Sequence, residues 1–152
     1  MGKVKVYEAE LDRIRESLAY GVQNLMFAVE ADAKREAPVR GGYRSFMSTK
    51  RGKAGQVLIG GTLRRSIHST TYYKGKPIVG GTDENGNAKP DYSESGDGDI
   101  VGIVGTNCSY GAFVELGTVK MRERPFLTPA FDANAANAGD LINAGARRRL
   151  GR

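Results

Sequence analysis

The chain has no tryptophan, one histidine and one cysteine among its 152 residues, and each shortage closes off chemistry. A single cysteine, Cys108, rules out an internal disulfide framework and leaves no partner set for a structural zinc site. With His68 as the only histidine, any Ser-His-Asp or Cys-His arrangement would have to use it. It lies in a strand-like run beside Ser66 and Ser69 with no motif around it, and reads as a structural or surface residue. No window approaches the roughly 18 consecutive apolar residues of a membrane span, and the N-terminus lacks the charged-then-apolar pattern of a secretory signal. The expectation is a protein made and kept in the cytosol, with no membrane partner.

An enzyme of this size should show a convergent nucleophile, base and stabilising group, and none is found. Asp97-Gly98-Asp99 and Asp83-Glu84-Asn85-Gly86-Asn87 lack the alternating oxygen ligands of a calcium loop. Gly102-Ile103-Val104-Gly105 lacks the spacing and the lysine of a phosphate-binding loop. No catalytic residue, metal or cofactor is expected.

Hydrophobic residues make up 39% of the chain and charged residues 26%, ordinary globular usage, so residues 1–152 are expected to form one domain around one core. The 21 glycines cluster between Gly41 and Gly117 and mark a loop-rich middle. The formal charge of +6 is uneven. Arg40, Arg44, Lys50, Arg51, Lys53, Arg64 and Arg65 form one basic stretch, and Arg147, Arg148, Arg149 and Arg152 form the other. Such an excess permits attraction to nucleic acid or to an acidic protein face and does not choose between them.

From Glu8 to Ala37 the residues Leu11, Ile14, Leu18, Val22, Leu25, Val29 and Ala33 follow steps of three and four, which predicts an amphipathic helix ended by Pro38. That stripe can cover a sheet of its own domain or pack against a neighbouring subunit. Residues 39–60 read as an inserted arm or exposed loop, and residues 82–99 as a second projection. Strand-like runs follow at Leu63 to Tyr73, Pro77 to Gly81 and Ile100 to Thr106. Tyr110 to Leu116 predicts a short helix closed by Gly117. Thr128 and Pro129 are suited to open one last helix, with Phe131, Ala135, Ala138, Ile142 and Ala146 on its buried side and a basic tail over residues 146–152. The fold expected is α+β: a mostly antiparallel sheet packed with a long N-terminal helix and a C-terminal helix, with extended loops.

One segment is more specific than the rest. Val104-Gly105-Thr106 is followed by Tyr110-Gly111-Ala112-Phe113-Val114-Glu115-Leu116-Gly117-Thr118, and then by Arg124-Pro125-Phe126-Leu127-Thr128-Pro129-Ala130. It resembles the signature of the phage tail-component proteins, a family also described as neck, head–tail joining or tail-completion proteins. Ala37-Pro38-Val39 at the helix end and the Gly-Thr-Leu-Arg-x-Ser-Ile segment from Gly61 to Ile67 are similar to the same family. In that family the proline and the Gly-x-Leu-Arg segment are nearly adjacent, whereas here residues 39–60 intervene.

The resemblance marks Tyr110, Val114, Glu115, Gly117, Thr118, Arg124, Pro125, Phe126 and Pro129 as its structural motif; physical reasons give the motif fold roles, with a direct subunit contact by Glu115 or Arg124 as the alternative. Gly117 ends a helix, Thr118 bonds to the turn, and Glu115 accepts hydrogen bonds from backbone amides or pairs with Arg122 or Arg124. Phe126 and Leu127 enter the core, between prolines that fix the path of the chain. Arg40, Arg44, Lys50, Arg51, Lys53, Arg147, Arg148 and Arg149 are candidates for subunit or DNA contacts.

The resemblance implies a virion structural protein at the neck, assembled in the host cytoplasm into a homo-oligomeric ring. Six-fold symmetry is the first expectation and twelve-fold the alternative. The implied partners are a head-closure or connector protein on one side and a tail-terminator or tail-tube protein on the other, with DNA passing through the lumen without sequence-specific contact. The competing reading is a sequence-independent nucleic-acid-binding accessory domain that uses Arg40 to Arg65 and the arginine tail.

Overall fold

A computed structural model describes residues 7–39, 43–47, 54–58, 61–78 and 100–151. The three- and four-residue spacing produces helix α1, Glu8–Glu36. Its ends suit the helix dipole, with Glu8 and Glu10 in the first turn and Lys34 and Arg35 in the last. Pro38 pushes Ala37 into an extended conformation (φ −56°, ψ 122°), and the Ala37 amide makes the final helical bond to the Ala33 carbonyl at 2.8 Å.

After α1 come strands β1 (Tyr43–Met47) and β2 (Ala54–Leu58), the short helix α2 (Thr62–Arg65), and strands β3 (Ile67–Tyr73), β4 (Lys76–Pro77) and β5 (Ile100–Thr106). Helices α3 (Gly111–Leu116), α4 (Leu127–Ala135) and α5 (Ala138–Leu150) complete the order. Among the described residues β1 and β2 pair with each other alone, antiparallel, with Tyr43 opposite Leu58. The other sheet has the order β4-β3-β5 and is antiparallel throughout. Lys74 and Gly75, both at positive φ, turn β3 into β4, and β3 meets β5 from Ile67 opposite Thr106 to Tyr73 opposite Ile100.

α1 lies between this sheet and the two C-terminal helices. Leu25, Met26, Val29, Ala33 and Ala37 meet Leu63, Ile67, Phe126 and Ala130 in one core. Polar groups join the layers. Glu30 of α1 accepts from the Ser69 hydroxyl of β3 and from Lys34, and Asp32 accepts from the Asn134 amide of α4 at 2.7 Å. The α+β architecture, with its long N-terminal helix and antiparallel sheet, is as expected. Among the described residues no helix is long and apolar enough to cross a membrane.

Three details differ from the sequence reading. The first half of the expected apolar stripe is not covered: Leu11, Ile14 and Leu18 are exposed, while Ser17 and Gly21 are buried. The reason is that α5 packs on the small-residue side of α1. A β-carbon at Gly21 would stand 2.3 Å from the Ile142 carbonyl oxygen, an approach that larger side chains would prevent.

The single last helix is two, broken at Ala136 and Asn137. Within α4, Ala130 and Asn134 are buried, whereas Phe131 and Ala135 face solvent. Leu63 does not begin a strand. It is the buried residue of α2, whose bonds from Arg65 to Gly61 and from Ser66 to Thr62 turn the chain before β3 starts at Ile67. The 39–60 segment, expected as an inserted arm or exposed loop, contains the β1–β2 pair. The 82–99 projection and residues 79–81 of the Pro77 to Gly81 run lie outside the described residues.

Candidate functional site

The segment from Thr106 to Ala130 folds as one unit, organised by Glu115. α3 carries Glu115 toward the start of α4, where its carboxylate accepts four hydrogen bonds. The Phe126 and Leu127 amides reach Oε2 at 2.7 and 3.0 Å, and the Thr128 amide and hydroxyl reach Oε1 at 2.9 and 2.7 Å. These amides belong to the first turn of α4, where no helical carbonyl is available to them, and Phe126 at the N-cap position has no side chain to offer. Glu115 therefore caps α4 from eleven residues away. Partial burial disfavours its charge, but the three amides and the hydroxyl outweigh that and hold the carboxyl below its ordinary value.

The remaining motif residues hold this geometry. Gly117 ends α3 at φ 74° and ψ −179°, a conformation open to glycine and strained for other residues. Thr118 and Met121 exchange backbone bonds across a tight turn, and the Thr118 hydroxyl accepts from the Lys120 amide at 3.3 Å. The Arg124 amide then returns to the Val114 carbonyl at 2.8 Å. Phe126 is fully buried, and Val114 and Leu127 pack against the core. Pro125 and Pro129 are exposed on either side of that anchor. Thr128 lies inside α4 and does not cap it, because the helix starts one residue earlier and Glu115 takes the capping role. Among the described residues, no ion pair joins Glu115 to Arg122 or Arg124, since its oxygens are taken up by backbone donors.

Tyr110 stands at the head of α3 and is exposed. The Cys108 thiol beside it, with some burial, holds its phenol above the ordinary value. Phe113, Leu116, Val119 and Met121 are exposed on this unit, beside exposed Lys120, Arg122, Glu123 and Arg124.

Of the candidate contact residues, Arg40, Lys50, Arg51 and Lys53 lie outside the described residues, and Arg44 falls within β1. Arg147, Arg148 and Arg149 form the last turn of α5, so the expected basic tail is helical through Leu150. Arg149 is engaged within the chain: it bonds Glu16 at 3.2 Å and lies over the Tyr20 ring at 4.7 Å. Arg147 and Arg148 are exposed.

Among the described residues no group of three His, Cys, Asp or Glu could hold a metal ion. A groove of about 390 Å³ runs between α1, β5 and α4, and its walls include Met26, Val29, Ile103, Leu127 and Phe131. Apart from Thr128 and Asp132 its lining side chains are apolar, which suits contact with another apolar surface better than chemistry on a bound substrate. The signal that sequence reasoning missed is the small-residue face of α1. Ser17, Gly21 and Asn24 recur at helical spacing, and that face, once given to α5, leaves the larger apolar residues outside. Compared with protein-family models, curated proteins and solved structures, the chain finds no match, so its surfaces are interpreted from their own residues.

Proposed function

We propose that this chain is a structural subunit of the neck of a long-tailed phage particle, where copies assemble into a ring that joins the head-closure or connector complex to the tail. The reading rests on the resemblance carried by Tyr110 to Thr118 and Arg124 to Ala130. The observation that supports it most is that these two segments close on each other through Glu115 while presenting Phe113, Leu116 and Val119 to solvent. A monomer gains nothing from such a surface, and a subunit that works by binding requires one. Function in this reading is assembly, with no catalytic step.

A ring of six subunits is the first choice and twelve the alternative, with a tail-terminator or tail-tube protein on the face away from the head. DNA passing through the lumen would touch phosphate-binding side chains transiently and without regard to sequence. Native mass spectrometry of the protein, alone and with the head-closure and tail-tube proteins of the same virus, tests this. Rings or a stoichiometric complex with either neighbour are expected, and a persistent monomer that ignores both would overturn the proposal.

The exposed Arg147 and Arg148 favour a second reading, a sequence-independent nucleic-acid-binding accessory domain. It predicts binding to free DNA that weakens steeply with salt and exceeds any affinity for tail components.

A further inference from the structure

β5 is an edge strand, and its outer side borders a groove. In the order β4-β3-β5 no strand among the described residues lies beyond β5. The bond from the Asn107 amide to the Ser66 carbonyl fixes which backbone groups point outward. Bonded and non-bonded pairs alternate along an antiparallel ladder, so His68 with Gly105, Thr70 with Ile103 and Tyr72 with Val101 are the bonded pairs. The amides and carbonyls of Gly102 and Val104 therefore point away from β3. In agreement, the carbonyl of Thr71, which stands opposite Gly102, is taken on the β4 side by the Ile78 amide at 2.9 Å.

Gly102 and Val104 also line the groove of about 390 Å³ between β5, α1 and α4, with Met26, Val29, Leu127 and Phe131 among its apolar walls. Outward donors and acceptors at every second residue, beside an apolar trough, match an extended strand. Its backbone bonds the edge while alternate side chains enter the trough.

The chain carries a strand pair that lacks a sheet. Among the described residues β1 and β2 form a two-stranded sheet separate from that of β5, and such a pair standing alone is marginal in water. A third strand would stabilise it. Charge favours the same match. Arg40, Arg44, Lys50, Arg51 and Lys53 fall within residues 40–60 with no acidic residue among them. The one charged residue lining the groove is Asp132, which has no ion pair among the described residues. Asp91, Glu94, Asp97 and Asp99 lead into β5 with no basic residue between them, and Arg122 and Arg124, which precede α4, line none of the groove.

We infer that β1, the hairpin strand that contains Arg44, adds to the open side of β5 in the next copy of the chain. The inference rests on the ring reading and gives that ring its interface. β1 and β5 are different surfaces of one chain, so the contact is heterologous and closes into a ring when the rotation allows. Pairing β5 with β5 would stop at a two-fold dimer.

Hydrogen exchange on the wild-type protein, quenched and then measured residue by residue by NMR, tests this. The Val101, Ile103 and Gly105 amides, bonded to β3, should be protected at every concentration. Those of Gly102 and Val104 should exchange freely in the dilute monomer and at least about tenfold more slowly in the assembled protein. In a Cys108→Ser background, a mixture of the Arg44→Cys and Asp132→Cys variants should yield a mixed disulfide dimer under mild oxidation.

Rings whose Gly102 and Val104 amides still exchange freely, or that form without the mixed disulfide, would overturn the inference while leaving the joining role standing. Amides already slow in the monomer would overturn it too, by giving the edge to a segment of the same chain. A chain that never associates would do the same, and binding to the head-closure or tail-tube protein would then decide the role separately. Protection that appears only with one of those neighbours would also overturn it, by assigning the edge to a strand of that neighbour.

Discussion

A β-carbon placed on Gly145 of α5 would stand 2.8 Å from the α-carbon of Gly21 in α1. The two helices cross at this pair, and the Asn24 amide bonds the Leu141 carbonyl one turn away at 2.8 Å. Gly145→Ala would press on Asn24 and the Tyr20 carbonyl as well, all parts of the facing helix. We expect it to destabilise the protein by about 1–3 kcal/mol, the usual cost of overpacking. Gly139, in the same helix with nothing within 4 Å of a β-carbon, is the control. Gly139→Ala should be neutral or stabilise by up to about 1 kcal/mol through helix propensity. Urea unfolding of both variants separates crowding at the crossing from a general effect of alanine.

Glu115→Gln should lower stability by about 2 kcal/mol at neutral pH, because it replaces a charged acceptor that satisfies three orphan amides. The pH dependence has a definite sign. The folded state holds this carboxyl below its ordinary value, so its contribution is complete above the unfolded value of about 4.5 and is lost as pH falls through the lower folded value. Unfolding free energies for the wild type and the variant should therefore differ most above pH 4.5 and converge in acid. A constant difference down to pH 2 would count against the capping role.

Ser69→Ala removes the hydroxyl that β3 donates to Glu30. Burial opposes the Glu30 charge, while Lys34 and Ser69 stabilise it enough to hold the carboxyl below its ordinary value. Losing one of these two donors should cost about 1.5–3 kcal/mol, the range for hydrogen bonds to charged groups. It should also move the Glu30 titration, followed by NMR, upward. An unmoved titration would show that Lys34 alone sets it.

Phe126→Ala should cost about 3–5 kcal/mol, since the ring is fully buried where α1, α2 and α4 meet. Against a total stability of roughly 5–15 kcal/mol for a domain of this kind, that loss brings the variant close to unfolding. Calorimetry should show either a sharply lowered melting temperature or no cooperative transition.

Periodicity and turn chemistry, which act within a few residues, made α1, α3, β5 and most of β3 legible in the sequence. Pro38 stopped α1 by a clash with the residue before it, and Gly117 stopped α3 because few other residues adopt its backbone conformation. The donors that Glu115 would meet were legible in kind, since helix starts always leave amides unpaired. That they would be those of Phe126, Leu127 and Thr128, with neither Arg122 nor Arg124 as partner, was decided by how α3 is set against α4.

Which side of α1 would be buried was a tertiary decision. Both the large apolar stripe and the small-residue stripe run at helical spacing, and hydrophobicity alone favours the first. Close approach of α5 at Gly21 and Gly145 favours the second, because backbone atoms can come that near only where side chains are absent. The C-terminal segment is divided into α4 and α5, and Phe131 is left at the surface. Local sequence thus determined α1, α3, β5 and most of β3, with the stops at Pro38 and Gly117, while the division of the C-terminal helix and the faces left open were settled only in the tertiary structure.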